Sequence, residues 1–192
     1  MKKLLLTLVT ALGLIGGAQA ATFQSVVNGD GLATDYSTDG LIAFELDFQS
    51  LGTTTLSYVI GAADTASLSF NALLRNFTGE GITGFNFSIS GGEFVYSGTV
   101  TRQFDGSLIT DIDFNGAHAS VDLGSPEFLD VEIGDPLMAG GGRFDWGFTG
   151  LSAGDVLNIS VTAVPEPESI AMLLAGLGVL GAVARRRQRL TA

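Results

Sequence analysis

Paired carboxylates two residues apart recur along this chain: Glu45/Asp47, Asp111/Asp113 and Asp130/Glu132. In an extended strand, residues i and i+2 point to the same side, so each pair shares a face. Two carboxyl groups facing each other across a cleft at about 5–10 Å are what glycoside hydrolysis needs. On one wet face they have a simpler role, solvating the sheet and opposing edge-to-edge association. The single histidine, His118, lies in Asn-Gly-Ala-His-Ala-Ser with Ser120 and Asp122 close by. These are the parts of a nucleophilic triad, but no strained nucleophile elbow of the Gly-x-Ser-x-Gly type is read in the chain to support it. No residue is assigned a catalytic role. The segment Asp35 to Ile42 sets Asp35, Ser37 and Asp39 at alternate positions before Gly40. Alternate oxygens in a tight turn are the front half of a calcium loop, because a hard cation needs several oxygens at short range. The bidentate Glu of such a loop would fall at Leu46, and no helices flank it, so Asn28, Asp30 and the backbone are the candidates to complete a different geometry. Calcium is the only cofactor suggested. Asn-x-Ser/Thr sequons at Asn76, Asn86 and Asn158 read as chance occurrences.

These groups need a scaffold, and composition bounds it. The chain has 192 residues, enough for one domain plus targeting segments. It has no cysteine, so no disulfide or thiolate metal site exists and the core must hold the fold. Residues 21–164 hold eighteen Asp and Glu against Arg75, Arg102 and Arg143, a formal charge of −15. Such a domain repels nucleic acid and anionic lipid, which excludes nucleic-acid binding as its work. The other six basic residues lie at the two ends.

Residues 21–163 read as an all-β domain. Large apolar residues alternate in Phe44-Leu46-Phe48, Leu68-Phe70-Ala72-Leu74, Phe85-Phe87-Ile89, Leu108-Ile112-Phe114, Leu129-Val131-Ile133, Phe144-Trp146-Phe148 and Leu157-Ile159-Val161. Nine or ten short strands are expected, in an antiparallel β-sandwich of jelly-roll-like or Greek-key type. Gly91-Gly92 reads as a two-residue hairpin turn, and Met138 to Arg143, with three consecutive glycines, as a flexible loop.

The ends are addresses. Residues 1–20 open on Lys2 and Lys3, continue through an apolar stretch from Leu4 to about Ile15, and close on Ala18-Gln19-Ala20. This is the pattern of a secretory signal peptide, with signal peptidase expected to cut between Ala20 and Ala21 after export by the general secretion machinery. At the other end, Val164-Pro165-Glu166-Pro167 precedes an apolar stretch over about 170–184 and then Arg185, Arg186 and Arg187. A fifteen-residue helix covers about 22 Å, short of a ~30 Å hydrocarbon core, yet able to span by thinning the bilayer. The arginines would stay cytoplasmic. Pro165 and Pro167 hold their backbone extended, so Val164 to Glu168 is expected to stand off the membrane as a stiff, exposed segment.

The order Pro-Glu-Pro, short Leu/Gly/Ala helix and arginine block over residues 164–189 resembles the PEP-CTERM sorting signal of Gram-negative bacteria. The resemblance implies an exported precursor held briefly in the inner membrane and processed by an exosortase, a membrane-embedded transpeptidase-like enzyme. Its recognition element would be Pro165, Glu166 and Pro167. The mature protein would then be released or attached at the cell surface, among exopolysaccharide. With no catalytic constellation read in the domain, a structural or binding protein of the surface or extracellular matrix is expected. The alternative function is a secreted carbohydrate-active enzyme using two of the paired carboxylates.

Overall fold

The computed structural model describes residues 20–64, 67–166 and 175–179. Fourteen strands follow in order: Thr22–Asn28 (β1), Leu32–Asp35 (β2), Leu41–Phe48 (β3), Thr53–Val59 (β4), Leu68–Asn76 (β5), Ile82–Ser90 (β6) and Glu93–Tyr96 (β7). The second half holds Val100–Arg102 (β8), Leu108–Ile109 (β9), Ile112–Asn115 (β10), His118–Glu127 (β11), Val131–Ile133 (β12), Trp146–Thr149 (β13) and Val156–Pro165 (β14). They form two sheets. One runs β1-β4-β14-β6-β11-β10; the other runs β2-β3-β5-β12-β8-β9, with β13 and β7 extending it beside β5. The all-β expectation holds.

The alternating residues set the inner faces. Phe44, Leu46, Phe48, Phe70 and Leu74 of one sheet are buried with Phe85, Phe87, Ile159 and Val161 of the other, in one apolar cluster. Ring contacts cross between the sheets: Phe48 to Phe85 at 5.8 Å and Phe87 to Trp146 at 5.6 Å. Trp146 is fully buried and still satisfied, its Nε1 donating to the Thr99 carbonyl at 3.2 Å.

Five sequence expectations change. The pairing of β3 with β5 is parallel, so the sheets are not wholly antiparallel. Gly91-Gly92 is no hairpin turn: β6 pairs with β11 and β14, whereas β7 pairs with β13 in the other sheet. The two glycines carry the chain between sheets, and a side chain on Gly91, at φ +98°, would meet the Val156 carbonyl at 2.5 Å. Leu108 to Phe114 is not one strand, because β9 lies in one sheet and β10 in the other. The chain turns the corner at Thr110-Asp111, so Leu108 and Phe114 stay exposed. The fourth concerns Leu129 and Phe144, which lie just outside β12 and β13 and are also exposed. The strand count exceeds nine or ten: Leu108 to Phe114 divides into β9 and β10, and β1, β2, β4, β7, β8 and β11 lie outside the seven alternating runs, while β12 and β13 dock in succession on the same side of β5, separated by residues 134–145.

That insert is braced. The Asp135 carboxylate accepts from the Ala139 and Gly140 amides at 2.8 and 2.9 Å, while Asp145 accepts from the Asn71 side chain and the Asp135 amide. Its four glycines, Gly134 and Gly140 to Gly142, all take positive φ.

Among the described residues no helix is long and apolar enough to cross a membrane. Residues 175–179 are helical, and the rest of the expected span over about 170–184 lies outside the described residues. So do Ala18, Pro167 and Arg185 to Arg187.

Candidate functional site

The outer face of the β4-β14-β6-β11-β10 sheet is where the alternation places its polar half. Registers align two rows across five strands. One is Thr53, Thr162, Asn86, Ser120 and Asp113; the other is Thr55, Ser160, Ser88, His118 and Asn115. With strands about 4.8 Å apart, each row extends about 19 Å. No aliphatic side chain interrupts either row. At one side the hydroxyls satisfy one another, Thr53 with Thr162 at 2.7 Å and Thr55 with Ser160 at 2.8 Å. Towards β11 the face opens into a concavity of about 630 Å³, with Thr83, Asn86, Asp111, Ser120, Asp122 and Glu166 in its wall. A shallower recess of about 210 Å³ continues it past His118, Asp113 and the exposed edge of Phe114, sharing Asn86 and Ser120. The arrangement presents a strip of neutral donors and acceptors flanked by carboxylates and one aromatic ring.

The sequence candidates scatter. Asp111 and Asp113 reach this groove, although the chain corner puts only Asp113 in a strand. Glu45 and Asp47 lie on the other sheet and share Arg75, whose Nε and Nη2 donate to Asp47 at 2.7 and 3.0 Å and whose Nη2 also contacts Glu45. Glu132 is buried, and Arg143 Nη1 lies 2.9 Å from its Oε2 at ion-pair range, without hydrogen-bond alignment. Burial pushes the Glu132 carboxyl above the usual range, and Arg143 opposes this. Asp130 is likewise raised, chiefly by burial.

His118, Ser120 and Asp122 share the outer face of β11, and no hydrogen bond joins them among the described residues; Asp122 accepts instead from the Gly124 amide at 2.7 Å. Contrary to the expectation, a Gly-x-Ser-x-Gly spacing does occur, at Gly150-Leu151-Ser152-Ala153-Gly154. It forms the turn between two strands, β13 and β14, with the Ser152 amide donating to Asp155 at 2.8 Å. A nucleophile elbow needs strand–turn–helix. The sequon residues are structural or open: Asn76 donates to the Glu80 and Glu127 carbonyls, Asn158 donates to Ser90, and Asn86 faces the groove.

At the calcium candidate, Asp35 Oδ1 accepts from the Ser37 hydroxyl at 2.6 Å and from its amide at 3.3 Å. The Tyr58 hydroxyl approaches the same oxygen at 3.4 Å, and burial, reinforced by Asp35, holds the Tyr58 phenol far above its usual range. Asp39 is exposed. Asn28 and Asp30 do not complete the loop, because β2 runs between them and Asp35 and carries them to the opposite end of the sheet. The acid that does reach the loop is Asp64, which sequence spacing did not flag: it is buried, with Oδ1 accepting from the Gly40 amide at 2.7 Å and Oδ2 unpartnered. Among the described residues no three acidic or histidine side chains gather at metal-binding range.

The sorting element begins inside the sheet. Pro165 is the last residue of β14 and pairs with Ile82; the Glu166 amide donates to the Gly81 carbonyl at 3.1 Å. The Thr83 hydroxyl donates to the Pro165 carbonyl at 3.2 Å and to that of Val164 at 3.4 Å. Val164 to Glu166 therefore does not stand off as a free segment; β6 holds one side of it. Beyond Ala163, whose amide donates to the Gly52 carbonyl at 3.1 Å, β14 has no partner on its other side among the described residues. At the N-terminal end, Ala21 is buried beside β1, so the cut expected between Ala20 and Ala21 would leave the folded unit whole.

Residues 163–188 match the family model described as the PEP-CTERM protein-sorting motif. No curated protein and no solved structure matches the chain. The chain thus carries a sorting signal that marks an exported protein, made as a membrane-anchored precursor and processed by an exosortase. The domain that the signal delivers is the two-sheet unit with the polar groove.

Proposed function

We propose that the mature protein is a non-enzymatic component of the cell surface or extracellular matrix of a Gram-negative bacterium, binding neutral exopolysaccharide along the outer face of the β4-β14-β6-β11-β10 sheet. The observation that carries this is the pair of polar rows leading into the groove beside Asn86 and Ser120. Sugars are held by multiple hydrogen bonds from amides, hydroxyls and carboxylates, with an aromatic edge adding contact area. Among the described residues no cation lines the groove, and Asp111, Asp122 and Glu166 disfavour acidic polymers. The test is binding of the processed protein to neutral and acidic polysaccharides. Binding to neutral chains without release of reducing ends is expected, and an Asn86→Ala, Ser120→Ala variant should weaken it about tenfold, roughly 1.4 kcal/mol.

A hydrolytic role is the competing reading, favoured by Asp111 and Asp122 lining one groove. It would require polysaccharide turnover that Asp111→Asn or Asp122→Asn abolishes. The sorting step has its own test. Replacing Pro165-Glu166-Pro167 with three alanines should leave export intact and accumulate uncut precursor in the inner membrane.

A further inference from the structure

We infer that the tail end of the domain is a membrane-docking surface, on which Phe77, Phe104, Phe128 and Leu129 rest against a zwitterionic bilayer before the tail is cut. The inference rests on the reading of the tail as a temporary anchor. The strand ends place these residues together. β5, β8 and β11 finish at Asn76, Arg102 and Glu127, at the end where β6 and β12 begin and β14 finishes. The connecting loops are tied: Asn76 donates to the Glu80 and Glu127 carbonyls, and the Gln103 amide to the Asp130 carbonyl at 3.0 Å. Gly81, which receives the Glu166 amide, lies against Pro126 and the Phe128 ring, and a Cβ built on it would meet both within 3.1 Å. On these loops Phe77, Phe104, Phe128 and Leu129 are 57%, 77%, 55% and 49% exposed.

What covers them follows from where the chain goes next. Glu166 is bonded to the domain, and the apolar stretch of the anchor starts within a few residues of it. No spacer separates fold from anchor, so inserting the tail brings this end, and no other, onto the bilayer surface. Aromatic side chains are favoured at the level of lipid headgroups. The charged neighbours select the lipid. Glu80, Asp105, Asp130 and Glu166 lie in or beside these loops, and the two arginines at this end, Arg75 and Arg102, are paired to Asp47, Glu45 and Glu127. That rim repels anionic headgroups and suits phosphatidylethanolamine, which carries an outward ammonium.

The experiment reconstitutes the full-length precursor into vesicles of phosphatidylethanolamine and phosphatidylcholine. Phe128→Trp and, as a control on the insert that leaves β12 beside the middle of β5, Met138→Trp are compared, with buried Trp146 as constant background. Lipids brominated near the headgroup end of the acyl chains should quench the Phe128→Trp emission about twofold and leave that of Met138→Trp unchanged. Changing Phe77, Phe104 and Leu129 to serine in the Phe128→Trp protein should remove the quenching while the precursor stays bound through carbonate washing. Replacing the vesicles with phosphatidylglycerol should reduce it. Equal quenching of both tryptophans, or of neither, in carbonate-resistant precursor would overturn the docking surface alone. Precursor that washes off would overturn the anchor reading together with it.

Discussion

The two outer faces of this domain handle polar groups in opposite ways. On the β3-β5-β12 side, carboxylates are partly or fully buried and matched to arginine: Glu45 and Asp47 to Arg75, and Glu132 to Arg143. Arg102 reaches from β8 to Glu127 at the end of β11 and to the Leu123 carbonyl, linking the sheets. Those three are all the basic residues between 21 and 164. Every one of them is therefore engaged in holding the fold. The β14-β6-β11 side has none among the described residues, and its strips are mostly hydroxyl and amide, with His118 in one and Asp113 at the end of the other, open at the groove. One face is closed by charge pairing; the other keeps neutral groups available. That contrast is why the open face, and not the carboxylate pairs, is the better candidate for recognition.

The strongest way to break the contrast is at Arg143. Arg143→Ala leaves the Glu132 carboxylate buried without its countercharge and should cost about 2–4 kcal/mol, read as a fall in denaturation midpoint at pH 7. The sign of the pH dependence follows from the raised Glu132 carboxyl. A folded-state value above the unfolded one favours the native state at low pH, and that contribution is lost as pH rises through the folded value. Removing Arg143 raises it further. The deficit of the variant should therefore shrink as pH falls through the range where Glu132 protonates, and Glu132→Gln in the Arg143→Ala background should restore much of the midpoint. A deficit that is the same at pH 4 and pH 7 would show that Arg143 acts by packing alone.

The reciprocal experiment puts charge on the open face. Asn86→Arg with Ser120→Arg should leave the midpoint within about 0.5 kcal/mol, as surface substitutions do. It should remove binding to neutral polysaccharide and create binding to acidic polymers. Unchanged binding to both would move the recognition surface elsewhere.

How much of this was legible beforehand depends on the range of the signal. The inward residues of β3, β5, β6 and β14 were readable because burial imposes a period of two, and Phe44, Phe70, Phe87 and Ile159 are all buried. The sorting signal was readable because its meaning is linear, and residues 163–188 match it. Partnerships were not. Nothing in Gly91-Gly92 tells a hairpin from a crossing between sheets, because both need a positive φ. The corner at Thr110-Asp111 hides inside an unbroken alternation. Arg75, Asp64 and the polar rows are assembled by long-range pairing, which spacing along the chain does not encode. The pairing of Val164 and Pro165 with β6 was hidden for a similar reason: proline suits an extended segment, and a strand end whose amide faces no partner is one.

A third prediction probes that pairing. Thr83→Val removes the hydroxyl that clips the Val164 and Pro165 carbonyls to β6. A hydrogen bond of this kind contributes about 1 kcal/mol. Most of the loss should appear as local fraying of the end of β14, with little change in global stability. If the exosortase needs Pro165-Glu166 freed from β6, cleavage of the precursor should quicken about two- to fivefold. Slower cleavage would mean that the domain presents the element to the enzyme in place.

The smallest expected effect is at the Asp35–Ile42 loop, where calcium remains a proposal. Asp35 already gives one oxygen to Ser37 and Tyr58, and only the exposed Asp39 and the buried Asp64 bring further carboxylates near Gly40. An oxygen set this small belongs to a weak site, in the millimolar range. At calcium equal to the dissociation constant, the native state gains RT ln 2, about 0.4 kcal/mol. Thermal melting in millimolar calcium should therefore rise by a small margin over melting in chelator, and Asp39→Ala should abolish the rise while leaving the curve in chelator unchanged. Asp64→Asn separates the two roles of Asp64. The amide oxygen can still accept from Gly40, so the variant should keep most of its stability in chelator and lose the calcium increment if the unpartnered Oδ2 contributes to the site. Identical curves with and without calcium in the wild-type protein would reduce the loop to an Asx turn, with Asp64 serving only to pin Gly40.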